Sequence, residues 1–519
     1  MSANTFLFQI AVIISMSFCK VMNAQNERPF GTNEPHRPQI HFSPKEHWMN
    51  DPNGMVYYKG SYHLFYQYYP GSTVWGPMHW GHSTSKDLIH WNHQPIALYP
   101  DSLGYIFSGS VVVDYNNTSG FANNGIVPLV AIFTHHDPVA DKEGKNTFQN
   151  QSIAYSLDEG QTWIKYAKNP VLHNPGVRDF RDPKVSWHAA TKRWIMTLAT
   201  SDCITFYSSP DLKNWTKESE FGKEIGAHGG VWECPDLFSI DYQGKKLWVL
   251  IVSLNPGGPN GGSATQYFIG NFNGRRFSAF DSETRWVDYG PDEYAGVTYT
   301  NTDKRRIFQG WMSNWQYATR VPTENWRSAA TIPRELSIRR IAGKYFLSSK
   351  PVKELNRFTY ADMKMKGVIA SNLDLGTKSE KLTGPVKLKL NFEKVSDFTI
   401  TLSNTINQKL VIGFSQSKNG FFIDRTQSGK SDFEQGFART HNAPRFVRSD
   451  NMDITLIIDD ASVELFADNG LTVMTSIFFP HENYSSVRID SPDSIMIDEL
   501  TFSKLRSILS ENEMKLSKN

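Results

Sequence analysis

The chain has 519 residues with 54 basic and 52 acidic side chains, a formal net charge of +2. Such near balance, with no polybasic block, removes the electrostatic reason to expect a nucleic acid or an anionic membrane as partner. The length exceeds what one ordinary core supports and implies two domains; with 39% hydrophobic residues each can bury a core of normal size.

In chain order, the first feature is an apolar run from Thr5 to Cys19, too short for a membrane span. It predicts a signal peptide over residues 1–24, cut after Ala24; lipid anchoring at Cys19 is the competing reading. Either way the protein is expected to be exported, secreted or periplasmic. No later run reaches about 18 apolar residues, so no transmembrane segment is expected. Beyond the leader only Cys203 and Cys234 remain, which is no disulfide framework and predicts two unpaired, buried thiols. Asn-x-Ser/Thr sequons start at Asn116, Asn117, Asn150, Asn214 and Asn483, acceptors only in a glycosylating host.

Residues 25–345 carry short apolar or alternating runs broken by Gly, Pro, Asn and Asp, the spacing of strands and turns. Ser85-Lys86-Asp87 leads to Trp91, Ser209-Pro210-Asp211 leads to Trp215, and Ser156-Leu157-Asp158 leads to Trp163 with one residue added. The unit is a strand, a turn whose backbone the Asp caps, and a strand whose Trp packs against a neighbouring unit. Tryptophans about 50–70 residues apart suit four-stranded blades, and this length predicts a five-bladed β-propeller. Residues 346–360 read as a linker. Alternating runs resume over 361–506 and predict a β-sandwich, followed by a flexible tail at 507–519. The fold class is therefore all-β.

Three acid-bearing motifs lie in the first domain: Trp48-Met49-Asn50-Asp51-Pro52-Asn53-Gly54, Arg178-Asp179-Phe180-Arg181-Asp182-Pro183-Lys184 and Trp232-Glu233-Cys234-Pro235-Asp236. Singly, each is explained as a turn or strand end. Together they place Asp51, Asp182 and Glu233 where three blades could converge. Glycoside cleavage needs such a set: one carboxylate to attack or stabilise the cationic sugar, and another, protonated, to serve the leaving oxygen. Residue chemistry stops there, at a retaining or inverting glycosidase of unspecified sugar.

The three motifs, in this order, closely resemble the signatures of glycoside hydrolase family 32, the family of invertases, inulinases and levanases. The similarity continues through His79-Trp80-Gly81-His82, Phe107-Ser108-Gly109-Ser110, Gly310-Trp311-Met312-Ser313-Asn314-Trp315 and Val463-Glu464-Leu465-Phe466. The resemblance implies a retaining mechanism with Asp51 as nucleophile, Glu233 as acid and base, and Asp182 as a non-reacting stabiliser. It places Asn50, Gln67, Trp75, Phe107, Ser108 and Arg181 in a fructose pocket, with Tyr294 and Trp311 or Trp315 at its wall. Cys234 would tune its acidic neighbour. The implied substrate is sucrose or a fructan, levan or inulin. The Trp311–Ser328 stretch and the run Gln151–Leu172 look most like exo-acting enzymes. No cofactor is implied, and no metal: His79, His82, His135 and His136 lack metal-site spacing. The competing functions are a fructosyltransferase with the same residues and a non-catalytic fructan-binding propeller.

Overall fold

The structure is a computed structural model that describes residues 34–123, 125–375 and 384–509. The signal peptide expected over 1–24 lies outside the described residues. Five antiparallel sheets of four principal strands follow one another along the chain as blades. Blade one is His47–Tyr58, Ser61–Tyr69, His79–Ser85 and Asn92–Leu98; blade two is Tyr105–Val113, Leu129–His136, Gln149–Ser156 and Ile164–Lys165. Blade three is Phe180–His188, Arg193–Thr200, Cys203–Ser209 and Thr216–Phe221; blade four is Val231–Tyr242, Lys245–Asn255, Ala264–Phe272 and Phe277–Ala279. Blade five is Tyr294–Thr298, Ile307–Met312, Arg334–Ile341 and Lys344–Pro351. The first strand of each blade is innermost and neighbours the first strand of the next. The ring closes where Trp326 and Arg327, between the second and third strands of blade five, pair in parallel with His47 and Trp48.

The repeated serine–aspartate–tryptophan unit is the turn between third and fourth strands in blades one, two and three. In blade one Ser85 Oγ accepts from the Leu88 amide (2.8 Å), Asp87 Oδ1 accepts from the His90 amide (2.8 Å), and Trp91 Nε1 donates to Leu88 O. In blade three Ser209 Oγ accepts from the Asp211 amide (3.1 Å), and the Asp211 and Trp215 bonds repeat those of Asp87 and Trp91. Short polar side chains satisfy the turn's amides and leave the indole free to pack. Trp163 of blade two lies edge-on to Phe65 of blade one at 5.5 Å, so the tryptophan does pack between units.

Lys344–Pro351 is the outer strand of blade five, so the composition shift near 345 falls inside a hairpin rather than between domains. A short 3-10 turn, Lys353–Phe358, then leads into the second domain. There one layer holds Phe398–Ser403, Lys409–Ser415, Gly420–Gln427 and Thr440–Pro444, and the other Val386–Phe392, Met452–Asp459, Ser462–Ala467 and Thr472–Ile477. The long strand Ser486–Leu505 bends from one layer to the other, pairing first with Phe398–Ser403 and then with Val386–Phe392. Alternation along Val386–Phe392 sends Leu388 and Leu390 into a shared apolar core with Ile400, Ile412 and Leu456. The first residues of the expected tail are docked: Ser507 and Ile508 bond Gln39. Among the described residues no helix is long and apolar enough to cross a membrane.

Buried charge joins the two domains. Arg334, wholly buried, donates to Glu464 (3.0 and 2.5 Å), Asp288 (2.9 Å) and Thr475 (2.6 Å). His41 bridges Asp459 at 2.7 Å and Glu464 at 2.9 Å. Arg425 holds Asp292 at 2.7 Å. Removing one member leaves its partners charged and dry, at a cost of about 3–5 kcal/mol. Arg334→Met is therefore expected to lower the unfolding temperature sharply, as read by calorimetry. Burial opposes the charge on His41, but the hydrogen bonds it donates to Asp459 and Glu464 outweigh it and raise its pKa to about 9. A raised histidine stabilises fully below its unfolded pKa of about 6.5 and loses that contribution as pH rises through 9. Unfolding temperature should fall across that window, and His41→Gln should flatten the slope.

Candidate active site

Every innermost strand breaks register with its neighbour near its N-terminal end. The breaks free Asn50 and Asp51 in blade one, Phe107 and Ser108 in blade two, Asp182 and Pro183 in blade three, Cys234 and Pro235 in blade four, and Ala295 and Gly296 in blade five. A bulge turns a side chain off the ladder's strict alternation. Proline tolerates such a place because it has no ladder donor to lose. Asp182, Cys234 and Ala295 have φ of +62°, +45° and +54°, a conformation that costs non-glycine residues energy and is held here by the surrounding sheet.

The bulges open on one cavity of about 520 Å³. Asn50, Asp51, Gln67, Trp75, Phe107, Ser108, Arg181, Asp182 and Glu233, all expected from the sequence, line it. Asp51 Oδ1 accepts from Asn50 Nδ2 (2.8 Å), itself steadied by Trp48 Nε1 donating to Asn50 Oδ1 (2.7 Å). Asp51 Oδ2 accepts from Ser108 Oγ at 2.7 Å. Asp182 Oδ2 accepts from the Cys234 amide at 3.1 Å, and the Cys234 thiol lies 3.5 Å from Asp51 Oδ2 and 3.6 Å from Asp182 Oδ2. Arg181 donates to Glu233 Oε1 through Nη2 (2.9 Å) and Nε (3.2 Å), and to Asp179 Oδ1 at 2.6 Å. The Gln67 amide nitrogen is buried without a protein partner, a donor left for a guest.

Tyr294 is not on the surface of the cavity but behind Glu233, its hydroxyl donating to Oε2. Trp311 is fully buried in the second strand of blade five, packed on Trp48 and Trp315 with ring centroids 6.0 and 4.9 Å apart. It backs the wall; of the two, Trp315 lines the cavity. Other lining residues not foreseen are His136, Asp141, Phe148, Gln149, Arg178, Asp179, Val231 and Asn255. Arg178 and Asp179 open the second acid motif. His136, Gln149, Val231 and Asn255 are the end residues of strands and Asp141 sits in a short helix, positions that carry no acid–proline signature.

Crowding governs the electrostatics. Burial, and then the charge of Glu233, push the Asp51 carboxyl above its ordinary 3.8, while the Asn50, Ser108 and Cys234 bonds pull it back. Burial pushes Asp182 to about 7; Arg181 opposes the rise, and Glu233 and Asp51 add to it. Burial also opposes the Arg181 charge, but Glu233, Asp182 and Asp179 hold that cation firmly protonated. Burial, then Asp182 and Asp51, push the Cys234 thiol well above its usual range, so it stays a neutral thiol. Cys203 and Cys234 are both free and buried, as expected. Among the described residues no group of three or more His, Cys, Asp or Glu side chains is arranged to hold a metal ion. A buried carboxylate paired in a bulge, and a second carboxylate on a longer arm beside a cation, are the groups that cleavage at an acetal carbon uses.

Residues 41–351 match the glycosyl hydrolases family 32 N-terminal domain, and residues 354–504 match the family 32 C-terminal domain. The levanase of Bacillus subtilis (strain 168) is 42% identical over 516 residues, covering 97% of this chain and 75% of that protein. Invertase 2 of Saccharomyces cerevisiae (strain ATCC 204508 / S288c) is 36% identical over 530 residues, covering 92% and 94%. Among solved structures, exo-inulinase from Aspergillus awamori superposes with a TM-score of 0.84 at 36% identity, covering 92% of this chain and all of that one. On motif order, fold and site geometry alike, the chain belongs to glycoside hydrolase family 32.

Proposed function

We propose that the protein is an exported, retaining β-fructofuranosidase that removes terminal fructosyl units from fructans and from sucrose. The observation that carries this reading is the convergence of Asp51, Asp182 and Glu233, from three blades, on one cavity with Arg181 between the last two. Relatives named levanase, exo-inulinase and invertase supply the sugar. Export is supported by the apolar leader and by relatives described as extracellular exo-inulinases.

In this reading Asp51 attacks the anomeric carbon while Glu233 gives its proton to the departing oxygen, and the glycosidic bond breaks to leave a fructosyl ester on Asp51. Glu233, now ionised, takes a proton from water, whose oxygen displaces Asp51 and releases fructose. Ser108 and Asn50 fix the attacking carboxylate and tie down its lone pairs until the sugar arrives. Arg181 and Asp182 hold sugar hydroxyls, and the Asp182 carboxylate stabilises positive charge at the ring. Trp75 and Phe107 present faces to the sugar's C–H surface.

Asp51→Asn and Glu233→Gln should each lower turnover by about 10³-fold or more while circular dichroism stays unchanged. Either variant retaining wild-type turnover on sucrose, inulin and levan would remove its residue from the mechanism. Fructose alone released from polymer identifies exo action; oligosaccharides would mean endo cleavage or transfer. The acid limb of kcat/KM requires ionised Asp51 and should lie above pH 3.8, the ordinary aspartate value. Ser108→Ala removes a bond that favours the charged form and should move that limb higher. Asp182 carries a raised pKa, so the folded state binds its proton more tightly than the unfolded chain does. Folding stability attributable to it is greatest below pH 3.8 and is lost as pH rises to about 7. Asp182→Asn should therefore raise the unfolding temperature at pH 8, by a margin that disappears near pH 4, while activity collapses.

A further inference from the structure

The cavity holds the sugar that is cut off, and the rest of a polymer must leave across its rim. That rim is uneven. On the side of blades one and two, two loops stand at the cavity end: residues 70–78, which carry Trp75, and residues 99–104, which cross from the last strand of blade one to the first of blade two. Trp75 is 39% exposed, Tyr99 55% and Leu103 39%. Phe107 meets Trp75 edge-on at 6.1 Å and Trp75 meets Tyr105 at 6.5 Å, which carries the aromatic surface outward from the cavity; Tyr99, at the head of the next loop, packs edge-on to His79 at 5.4 Å. Across the mouth, beyond Asn255, the chain runs Pro256-Gly257-Gly258-Pro259-Asn260-Gly261-Gly262, with no large apolar side chain.

The 99–104 loop is rigid although its side chains face solvent. Asp101 and Gly104 exchange backbone hydrogen bonds of 3.2 and 3.0 Å, and Asp101 Oδ1 accepts from the Leu103 amide at 2.8 Å. Lys165 donates to Asp101 Oδ2 and to Tyr99 O, both at 2.5 Å, and His135 Nε2 lies 3.3 Å from Asp101 Oδ1. Gly104 has φ +124°, and a Cβ there would lie 2.0 Å from the carbonyl oxygen of His136, so the loop presses on the backbone beneath Phe107. Exposed rings on an anchored loop contribute little to folding but lose little freedom when a ligand covers them.

Resting on the β-fructofuranosidase reading, we propose that Tyr99, Leu103 and Tyr105 form a shelf, continuous with Trp75, that binds the departing segment of a fructan chain. The alternating C–H faces of successive fructosyl units pack on these side chains, and the enzyme thereby prefers long substrates to sucrose.

The test compares kcat/KM on sucrose and on a purified fructan of about ten fructosyl units, for the wild type and for the Tyr99→Ser/Leu103→Ser double variant, at a scale set by ring-stacking energies. The wild type should favour the fructan, and the variant should lower the fructan-to-sucrose ratio about fivefold or more, through KM rather than kcat. An unchanged ratio overturns the shelf, as does an equal fall on both substrates, which would mark the loop as mere support for the cavity. Wild-type protein that cleaves neither substrate overturns the β-fructofuranosidase reading itself. Cleavage of both with equal efficiency overturns the shelf alone.

Discussion

The register break at the head of each innermost strand is the constraint on which the rest depends. A regular strand alternates its side chains between two faces, and in a propeller both faces are taken by neighbouring blades. Only a bulge can turn Asp51, Ser108 or Asp182 out of that alternation and onto the axis. The prolines at 52, 183 and 235 and the positive φ values at 182, 234 and 295 are the local forms of that single requirement. The energy they cost is repaid by the sheets that hold them.

Once the carboxylates converge, charge becomes the next difficulty. Arg181 touches Asp179, Asp182 and Glu233 together and cannot neutralise them all; burial leaves Asp182 near 7. Deeper along the axis, Lys184, Asp236 and Thr298 repeat the solution in closed form: Lys184 lies 3.3 Å from Asp236, which accepts from the Thr298 amide (2.6 Å) and hydroxyl (2.7 Å). Blades three, four and five are thus tied by a buried ion pair.

Much of this was legible in the sequence. The Asp–Pro and Glu–Cys–Pro motifs read singly as turns or strand ends, and their shared order pointed to a site; that each is a bulge of an innermost strand depends on pairing with the neighbouring strand. The three serine–aspartate–tryptophan turns announced blades, because the bonds that make the turn are local. The role expected for Trp311 was less legible. A tryptophan next to a motif reads the same whether it lines a cavity or backs one, and only pairing with Tyr294 places it one strand outward. Asp141, Phe148 and Asn255 were silent because they gain their position from long-range packing and not from a local motif. The boundary near 345 failed for a related reason: a polar outer strand has the composition of a linker.

The interdomain charges have a consequence for the order in which the molecule can assemble. Blade one cannot close its ring until Trp326 is available to pair with His47, some 280 residues later on the chain. Asp288 and Asp292, just ahead of Tyr294, wait longer still, for Thr475 and Arg425 of the second domain. Tyr294 in turn supports Glu233. Among the described residues the second domain brings no carboxylate to the cavity; what it contributes lies behind the site, in the buried partners of Asp288 and Asp292 a few residues ahead of the tyrosine that holds Glu233.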